Sequence, residues 1–122
     1  MLTYKNRIVF TGGTGRFARS FRKEEEKTRF KFFFPKKKEL DILKLNSIRT
    51  FLKRKKPKYL IHMAGLSRPM ALHEKDISQS IDKNIIGTAN ITKICSLLKI
   101  KLIYISTCYV YPGNKGNYVE SS

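Results

Sequence analysis

Short apolar runs alternate with amphipathic stretches along the whole chain. Residues 8–10, Ile-Val-Phe, form an apolar run that breaks at once into glycine. Phe17, Ala18 and Phe21 then recur at helical spacing, which predicts a helix over 17–26 with a solvated, charged end at 23–27. Residues 29–34 are phenylalanine-rich and β-prone, a second strand closed by Pro35. Asn46 or Ser47 can cap a helix whose face is Ile48, Phe51 and Leu52, and Pro57 stops it. Residues 59–63 are a third apolar run, entering Ala64 and Gly65. Residues 70–76 read as a loop or the start of a helix, with His73 a loop residue. Between 77 and 98 positions 77, 81, 85, 89, 92, 95 and 98, all apolar but Thr92, recur in steps of three and four that predict one long amphipathic helix. Residues 101–105 are a fourth strand, ending at Ser106, Thr107 and Cys108. From Tyr111 onward Pro, Gly and Asn dominate, and no core-building pattern remains.

The order β-α-β-α-β-α-β implies a parallel sheet with helices on both faces. The expected class is α/β, a Rossmann-like doubly wound sheet, incomplete at about four strands. In the doubly wound order 3-2-1-4 the fourth strand lies at an edge. Ligands of such sheets sit at the carboxyl ends of the strands. The unusual residues fall there: glycines after the first strand, Lys36, Lys37 and Lys38 after the second, Ala64 and Gly65 after the third, Ser106 and Thr107 after the fourth.

The segment after the first strand, Gly13-Thr14-Gly15-Arg16-Phe17-Ala18, fits the dinucleotide pattern G-x-G-x-x-G/A in its alanine form. Gly12 and Gly13 can take the positive φ that a sharp turn needs. Gly15 leaves no Cβ between the backbone and a pyrophosphate. Ala18 lets the helix close on its strand, and the helix start offers unpaired N–H groups to phosphate.

At 122 residues the chain is one domain at most, and 41% apolar content with eight Phe and six Tyr is a globular composition. No apolar run approaches a membrane span and no signal-peptide pattern opens the chain; the expected setting is cytoplasmic. Cys95 and Cys108 form no motif, and Cys95 reads as a buried free thiol. His62 reads as a satisfied core histidine. No His, Cys and carboxylate cluster has metal spacing. Twenty-six Lys and Arg against nine Asp and Glu leave a net charge of +17, which attracts polyanions. The basic residues are spread widely, the tightest runs being Lys36-Lys37-Lys38 and Lys53-Arg54-Lys55-Lys56. A solvated lysine-rich surface is the simpler reading, and nucleic acid is not the expected partner.

The residues also carry a resemblance. Thr11-Gly12-Gly13-Thr14-Gly15-Arg16-Phe17-Ala18 matches the T-G-x-x-G-x-x-G loop of extended short-chain dehydrogenase/reductases, with Ala for the last Gly. Lys38-Glu39-Leu40-Asp41-Ile42 resembles their basic-x-x-L-D-I segment, and Ile61-His62-Met63-Ala64-Gly65 their cofactor-lining strand end. Asn84-Ile85-Ile86-Gly87-Thr88 matches the structural N-x-x-G-T. Residues 104–111 resemble the I-S-T-D-x-V-(F/Y) strand, with Cys108 replacing Asp. The chain resembles the N-terminal part of this NAD-dependent epimerase/dehydratase superfamily, and within it the dTDP-4-dehydrorhamnose reductase group. The resemblance implies that Gly12, Gly15 and Arg16 hold the pyrophosphate, with Gly13, Thr14 and Phe17 also at the cofactor. It places Asp41 and Ile42 at the adenine, Ala64 and Gly65 along the ribose, and Asn84 beside them. Thr107, or Ser106, becomes the catalytic hydroxyl that donates a hydrogen bond to the substrate.

The family's acid/base is Tyr-x-x-x-Lys on a helix, where the lysine lowers the tyrosine pKa. Tyr111-Pro112-Gly113-Asn114-Lys115 spells that pattern, but Pro112 and Gly113 oppose a helix, so Tyr111 and Lys115 would not share a face. The expectation is an NAD(P)-binding domain over residues 1–122, cut short before its catalytic tyrosine and its substrate-binding part. In the whole protein it would serve a nucleotide-sugar reductase, epimerase or dehydratase, with a homodimer as the candidate assembly. The alternatives are a non-catalytic NADP-binding regulatory subunit and, less favoured, a basic nucleic-acid-binding protein. NAD enzymes place an acid about twenty residues past the glycines. This chain has no acid between Lys27 and Lys38 and has Lys36 and Lys37 there instead, so NADP(H) is preferred to NAD(H).

Overall fold

The computed structural model describes residues 6–67, 69–106 and 111–122. Four parallel strands form one sheet: β1 (Arg7–Thr11), β2 (Lys31–Phe33), β3 (Tyr59–His62) and β4 (Lys101–Tyr104). Their order is β2-β1-β3-β4. The fourth strand lies at an edge as expected, but 3-2-1-4 is not the order. β3 pairs with β1, with Val9 opposite Leu60, and β4 pairs with β3 rather than with β1. The chain therefore leaves β1 in one direction, to β2, and returns past it to β3. That reversal opens a crevice between the carboxyl ends of β1 and β3.

Helices cover both faces. On one, α2 (Leu45–Lys55) and α5 (Gly87–Leu97) bury Ile48, Phe51, Leu52, Ile91, Ile94 and Cys95 against Val9 and Leu60. On the other, α1 (Arg16–Arg22) sets Phe17 and Phe21 at 5.9 and 5.7 Å from the Phe10 ring, and Phe34 stands 5.5 Å from it. These ring separations suit aromatic pairing. The alternating side chains of β1, Val9 inward to one layer and Phe10 to the other, are what make both faces apolar.

Three helix expectations need correction. The helix over 17–26 is a seven-residue α1 followed by a separate 3-10 turn, Glu25–Lys27. Its acidic run is not merely solvated, because Glu25 Oε1 accepts the Phe32 N–H at 3.1 Å and ties the turn to β2. Neither Asn46 nor Ser47 caps α2. Lys44 stands at the N-cap, and the Ser47 hydroxyl instead accepts the Asp41 N–H at 2.9 Å. The single helix over 77–98 is divided into α4 (Ile77–Ile81), a π-helical turn (Asp82–Ile86) and α5, preceded by α3 (Ala71–Lys75), which carries His73. The wider turn rotates the helix by one residue. Ile77, Ile81 and Ile85, expected inside, are 63, 41 and 62% exposed, whereas Gly87, Ile91, Ile94 and Cys95 face the core.

Candidate functional site

The turn after β1 is the sharpest point of the crevice. Gly12 has φ +76°, and a Cβ there would lie 3.0 Å from the backbone of both Met63 and Ala64. Gly13 has ordinary φ, contrary to the expectation of a second left-handed residue. It is needed for space, because its Cβ would strike Phe34 at 2.9 Å. The Arg22 guanidinium donates to the Gly13 carbonyl at 3.1 Å and lies over the Phe34 ring at 4.6 Å, pinning the turn from outside. Ala18, 1% exposed, closes α1 onto the sheet.

Beneath the turn sits a buried polar chain. Thr11 Oγ1 accepts the N–H groups of Met63 and Ala64 at 3.2 and 3.3 Å. It lies 2.7 Å from His62 Nδ1, and His62 Nε2 lies 3.0 Å from the Thr88 hydroxyl. The Tyr104 ring stacks over the imidazole at 5.9 Å. With no counter-charge and no exposure, burial pushes the His62 pKa down to about 4. His62 is thus the satisfied core histidine expected, and it joins the glycine turn to α5. Burial also pushes the Cys95 thiol up to about 11, so it stays protonated.

Three strand ends converge on one cavity of about 310 Å³. Gly12, Gly13 and Thr14 form one wall, with Ala64 and Gly65 forming another beside it. Pro35, Lys37, Leu40, Asp41, Ile42 and Leu43 complete the lining. Lys83 enters from the π-helical turn; its ammonium donates to Gln79 Oε1 at 3.2 Å. The Asp41 carboxylate accepts the Leu43 N–H at 3.0 Å, which shapes the loop. Asn90 holds that loop by donating to the Ile42 carbonyl at 3.0 Å.

The other expected site residues are arranged around this cavity rather than along its wall. Asn84 is a buttress: its amide bonds both backbone groups of Leu66, at 2.7 and 2.9 Å, beside Gly65. Gly15 and Arg16 stand exposed at the start of α1. Phe17, 52% exposed, stacks on Phe10 and Phe21. Lys36 is exposed, its backbone N–H held by Glu39 Oε2 at 2.8 Å. Ser106 is exposed beyond β4, and Thr107 lies outside the described residues, as does Cys108. Tyr111 and Lys115 are on no helix. The Tyr111 hydroxyl donates to the Val119 carbonyl at 3.3 Å and its ring stacks on Tyr118 at 4.9 Å. Among the described residues no group of three His, Cys, Asp or Glu could hold a metal ion, and no helix is long and apolar enough to cross a membrane. Lys83 and Arg22 were not singled out from the sequence, and Thr88 appeared there only as the last residue of N-x-x-G-T. Lys83 lies on the π-helical turn and lines the cavity.

The fold has counterparts among known proteins. Over 91% of its length, and 39% of the other chain, the structure matches a crystal structure of dTDP-4-dehydrorhamnose reductase from Bacillus anthracis in complex with NADP, with TM-score 0.82 and 28% identity. It shares its fold with MlghC, a GDP-mannoheptose C4 reductase from Campylobacter jejuni with NADP bound (TM-score 0.77, 23% identity, 97% of this chain and 38% of that one). In sequence it is 26% identical over 121 residues to methionine adenosyltransferase 2 subunit beta of Pongo abelii, covering 93% of this chain and 36% of that protein. The chain thus spans little more than a third of the relatives it matches. Residues 6–122 match the family model described as the RmlD substrate binding domain, and the chain belongs to that family.

Proposed function

We propose that this chain is the NADP(H)-binding part of a reductase, epimerase or dehydratase acting on a nucleotide-linked sugar. The observation that carries the reading is the cavity at the β1/β3 reversal, lined by Gly12, Gly13 and Thr14 together with Ala64 and Gly65. Gly12 and Gly13 present backbone without side chains, which is what a pyrophosphate requires. Gly15 and Arg16 extend that surface at the start of α1. Asp41 and Ile42 meet the adenine, and Lys37, with Lys36 behind it, meets a ribose 2′-phosphate that an acid there would repel. When bound, the nicotinamide supplies or takes the hydride. Thr107, or Ser106, orients the sugar carbonyl or alcohol by donating a hydrogen bond. Tyr111 and Lys115 are not the acid/base pair, and residues 1–122 are one Rossmann-like unit whose catalytic tyrosine and sugar-binding part belong to further chain. The setting we propose is the cytoplasm, and the assembly a homodimer.

A second reading is favoured by the likeness to a protein named as a subunit of methionine adenosyltransferase. On that reading the chain binds NADP(H) as a regulatory module without turnover. Calorimetric titration of the full-length protein with NADPH and NADH tests the shared part, and tighter binding of NADPH is expected. Equal or tighter binding of NADH would overturn the cofactor assignment. NADPH-dependent reduction of a nucleotide-linked 4-keto sugar supports the first reading over the second.

A further inference from the structure

The charge that looks scattered in sequence is gathered by the fold. At the end of the sheet opposite the cavity, β1, β2 and β4 begin at Arg7, Lys31 and Lys101, and Lys58 immediately precedes β3. The pairing sets their backbones in one row, with Lys101 in register with Tyr59. Arg7 is opposite Lys31, the Lys58 N–H donates to the Arg7 carbonyl at 2.9 Å, and the Lys101 N–H donates to the Lys58 carbonyl at 3.1 Å. With strands about 4.8 Å apart, the row spans roughly 14 Å. The run Lys53-Arg54-Lys55-Lys56 at the end of α2 joins the same edge, because the Arg7 guanidinium donates to the Lys55 carbonyl at 2.8 Å. Lys99, exposed just before β4, adds to it.

Two features set this row apart from an ordinary solvated surface. First, it is poor in acids: the sequence has none between Asp41 and Glu74, or between Asp82 and Glu120. The acids near its Lys31 end are Glu24, Glu25 and Glu26, of which Glu25 bonds the Phe32 N–H and Glu24 pairs with Lys27 at 2.8 Å. Second, two of its cations share one ring. The ammonium groups of Lys58 and Lys101 lie 5.4 and 6.0 Å from the centroid of the half-buried Tyr59 ring. The ring contacts are themselves favourable, and a polyanion would supply counter-charge to both ammonium groups.

We infer that this edge binds a nucleic-acid strand through its phosphates. A linear row of cations suits a linear polyanion, and Phe30, 41% exposed beside Lys31, offers a ring on which a base can stack. A lipid surface is a poorer fit: among the described residues, the large apolar side chains exposed near this edge are Phe30 and Leu97, on separate elements, with no cluster to insert. The strands place the edge about 13 Å from the cavity, so both sites can be filled at once. The inference does not depend on the proposed cofactor.

Fluorescence anisotropy of labelled U20 RNA and dT20 DNA, with the full-length protein at several salt concentrations, tests it. Comparable affinity for the two strands is expected, because phosphate contacts carry no sequence. The exposed triple Lys56→Gln, Lys58→Gln, Lys101→Gln should flatten the log–log salt slope by about 2, since each lost phosphate contact on a single strand removes about 0.7. It should leave NADPH binding and the thermal melt unchanged. The triple Lys75→Gln, Lys93→Gln, Lys115→Gln removes the same charge elsewhere and should flatten it far less. Should the first triple fold poorly, each single change should still flatten the slope by about 0.7. Equal effects of the two triples would overturn the inference, as would displacement of the oligonucleotide by NADPH. Retention on phosphatidylserine vesicles without retention of either oligonucleotide would overturn it too.

Discussion

His62 Nδ1 and the Thr11 hydroxyl are 2.7 Å apart, and the proton between them can be placed. Thr11 Oγ1 already accepts two backbone N–H groups, from Met63 and Ala64. Its own proton is therefore free to point at His62, which makes Nδ1 an acceptor and leaves Nε2–H to donate to Thr88. The tautomer assigned in this way is neutral. It links the two walls of the cavity, since Thr11 precedes the glycine turn and Met63 and Ala64 follow β3.

A pH dependence follows from this buried neutral ring. The folded pKa, about 4, lies below the unfolded value of 6.5. Between these values the unfolded chain binds a proton that the folded chain refuses, so stability falls as pH falls from about 6.5 to about 4. The loss from His62 amounts to about 3 kcal/mol across that window and is complete below it. Denaturant melts at stepped pH should show it. His62→Gln should be less stable at pH 7 but nearly flat between pH 6.5 and 4.5, and an unchanged slope in that variant would refute the assignment.

Thr11→Val keeps the shape but removes the oxygen that accepts from Met63 and Ala64 and the hydroxyl proton that goes to His62. Leaving such buried groups unsatisfied costs about 1–3 kcal/mol. Thr11→Ser retains the hydroxyl and should recover most of the stability. If valine is tolerated as well as serine, the hydroxyl does not hold the two walls together.

Two glycines of the site should respond differently to a methyl group. At Gly12 the added Cβ would meet backbone atoms, and φ is +76°, so nothing nearby can yield. At Gly87 it would lie 2.6 Å from Ile42 Cδ1, the tip of a side chain that can move. Gly12→Ala should therefore cost several kcal/mol and abolish cofactor binding, while Gly87→Ala should cost about 1–3 kcal/mol, the usual range for overpacking. Adding Ile42→Val to Gly87→Ala removes the opposing atom and should restore part of the loss. A double variant no better than Gly87→Ala would show that Ile42 is not the obstacle.

How much of this was legible in the sequence depends on which physical signal each feature leaves. The four strands, the glycine turn, the satisfied His62 and the gathering of Gly12, Lys37, Asp41 and Ala64 at one edge are local patterns, and each appears where its run of residues places it. Strand order is not local. Nothing in the residues 59–63 states whether they pair with β1 or β2. The long helix misled for a more specific reason. Ile77, Ile81 and Ile85 and, one residue out of phase, Gly87, Ile91 and Ile94 are two small-or-apolar stripes, and periodicity alone joined them through a turn that is π-helical. The same turn carries Lys83, which no sequence pattern singles out and which lines the cavity. Phe17 sits within a nucleotide motif, yet its ring serves the Phe10 cluster.

Cofactor preference should be divided unequally between the two lysines after β2. Lys37 lines the cavity, and Lys36 does not. A charge-assisted hydrogen bond to phosphate is worth about 1.5–3 kcal/mol. Lys37→Ala should thus weaken NADPH by ten- to a hundredfold, in keeping with about 1.4 kcal/mol per tenfold, and leave NADH almost unchanged. Lys36→Ala should have a much smaller effect. Calorimetric titration of both variants checks this, and equal losses would place the 2′-phosphate elsewhere.

The last prediction concerns the outer strand of the sheet. The Tyr104 ring stacks on His62 and so belongs to the face that α5 covers. Successive residues of a strand alternate, so Ile103, 43% exposed, lies on the opposite face beside Ile61, its partner in register. On that face α1 reaches Phe10 on β1 and Phe32 on β2 through Phe17 and Phe21, and the edge strand β4 is left with open backbone groups. An apolar edge of this kind pairs with other chains, and an exposed apolar patch adds to the tendency. Expressed by itself, the 122-residue chain should therefore self-associate despite its net charge of +17. Ile103→Lys puts a charge on that face without touching the cavity and should shift the chain toward monomer in sedimentation at equal concentration. If the unsubstituted chain sediments as a monomer and melts cooperatively above about 55 °C, within the range usual for mesophilic domains, β4 is not a sticky edge.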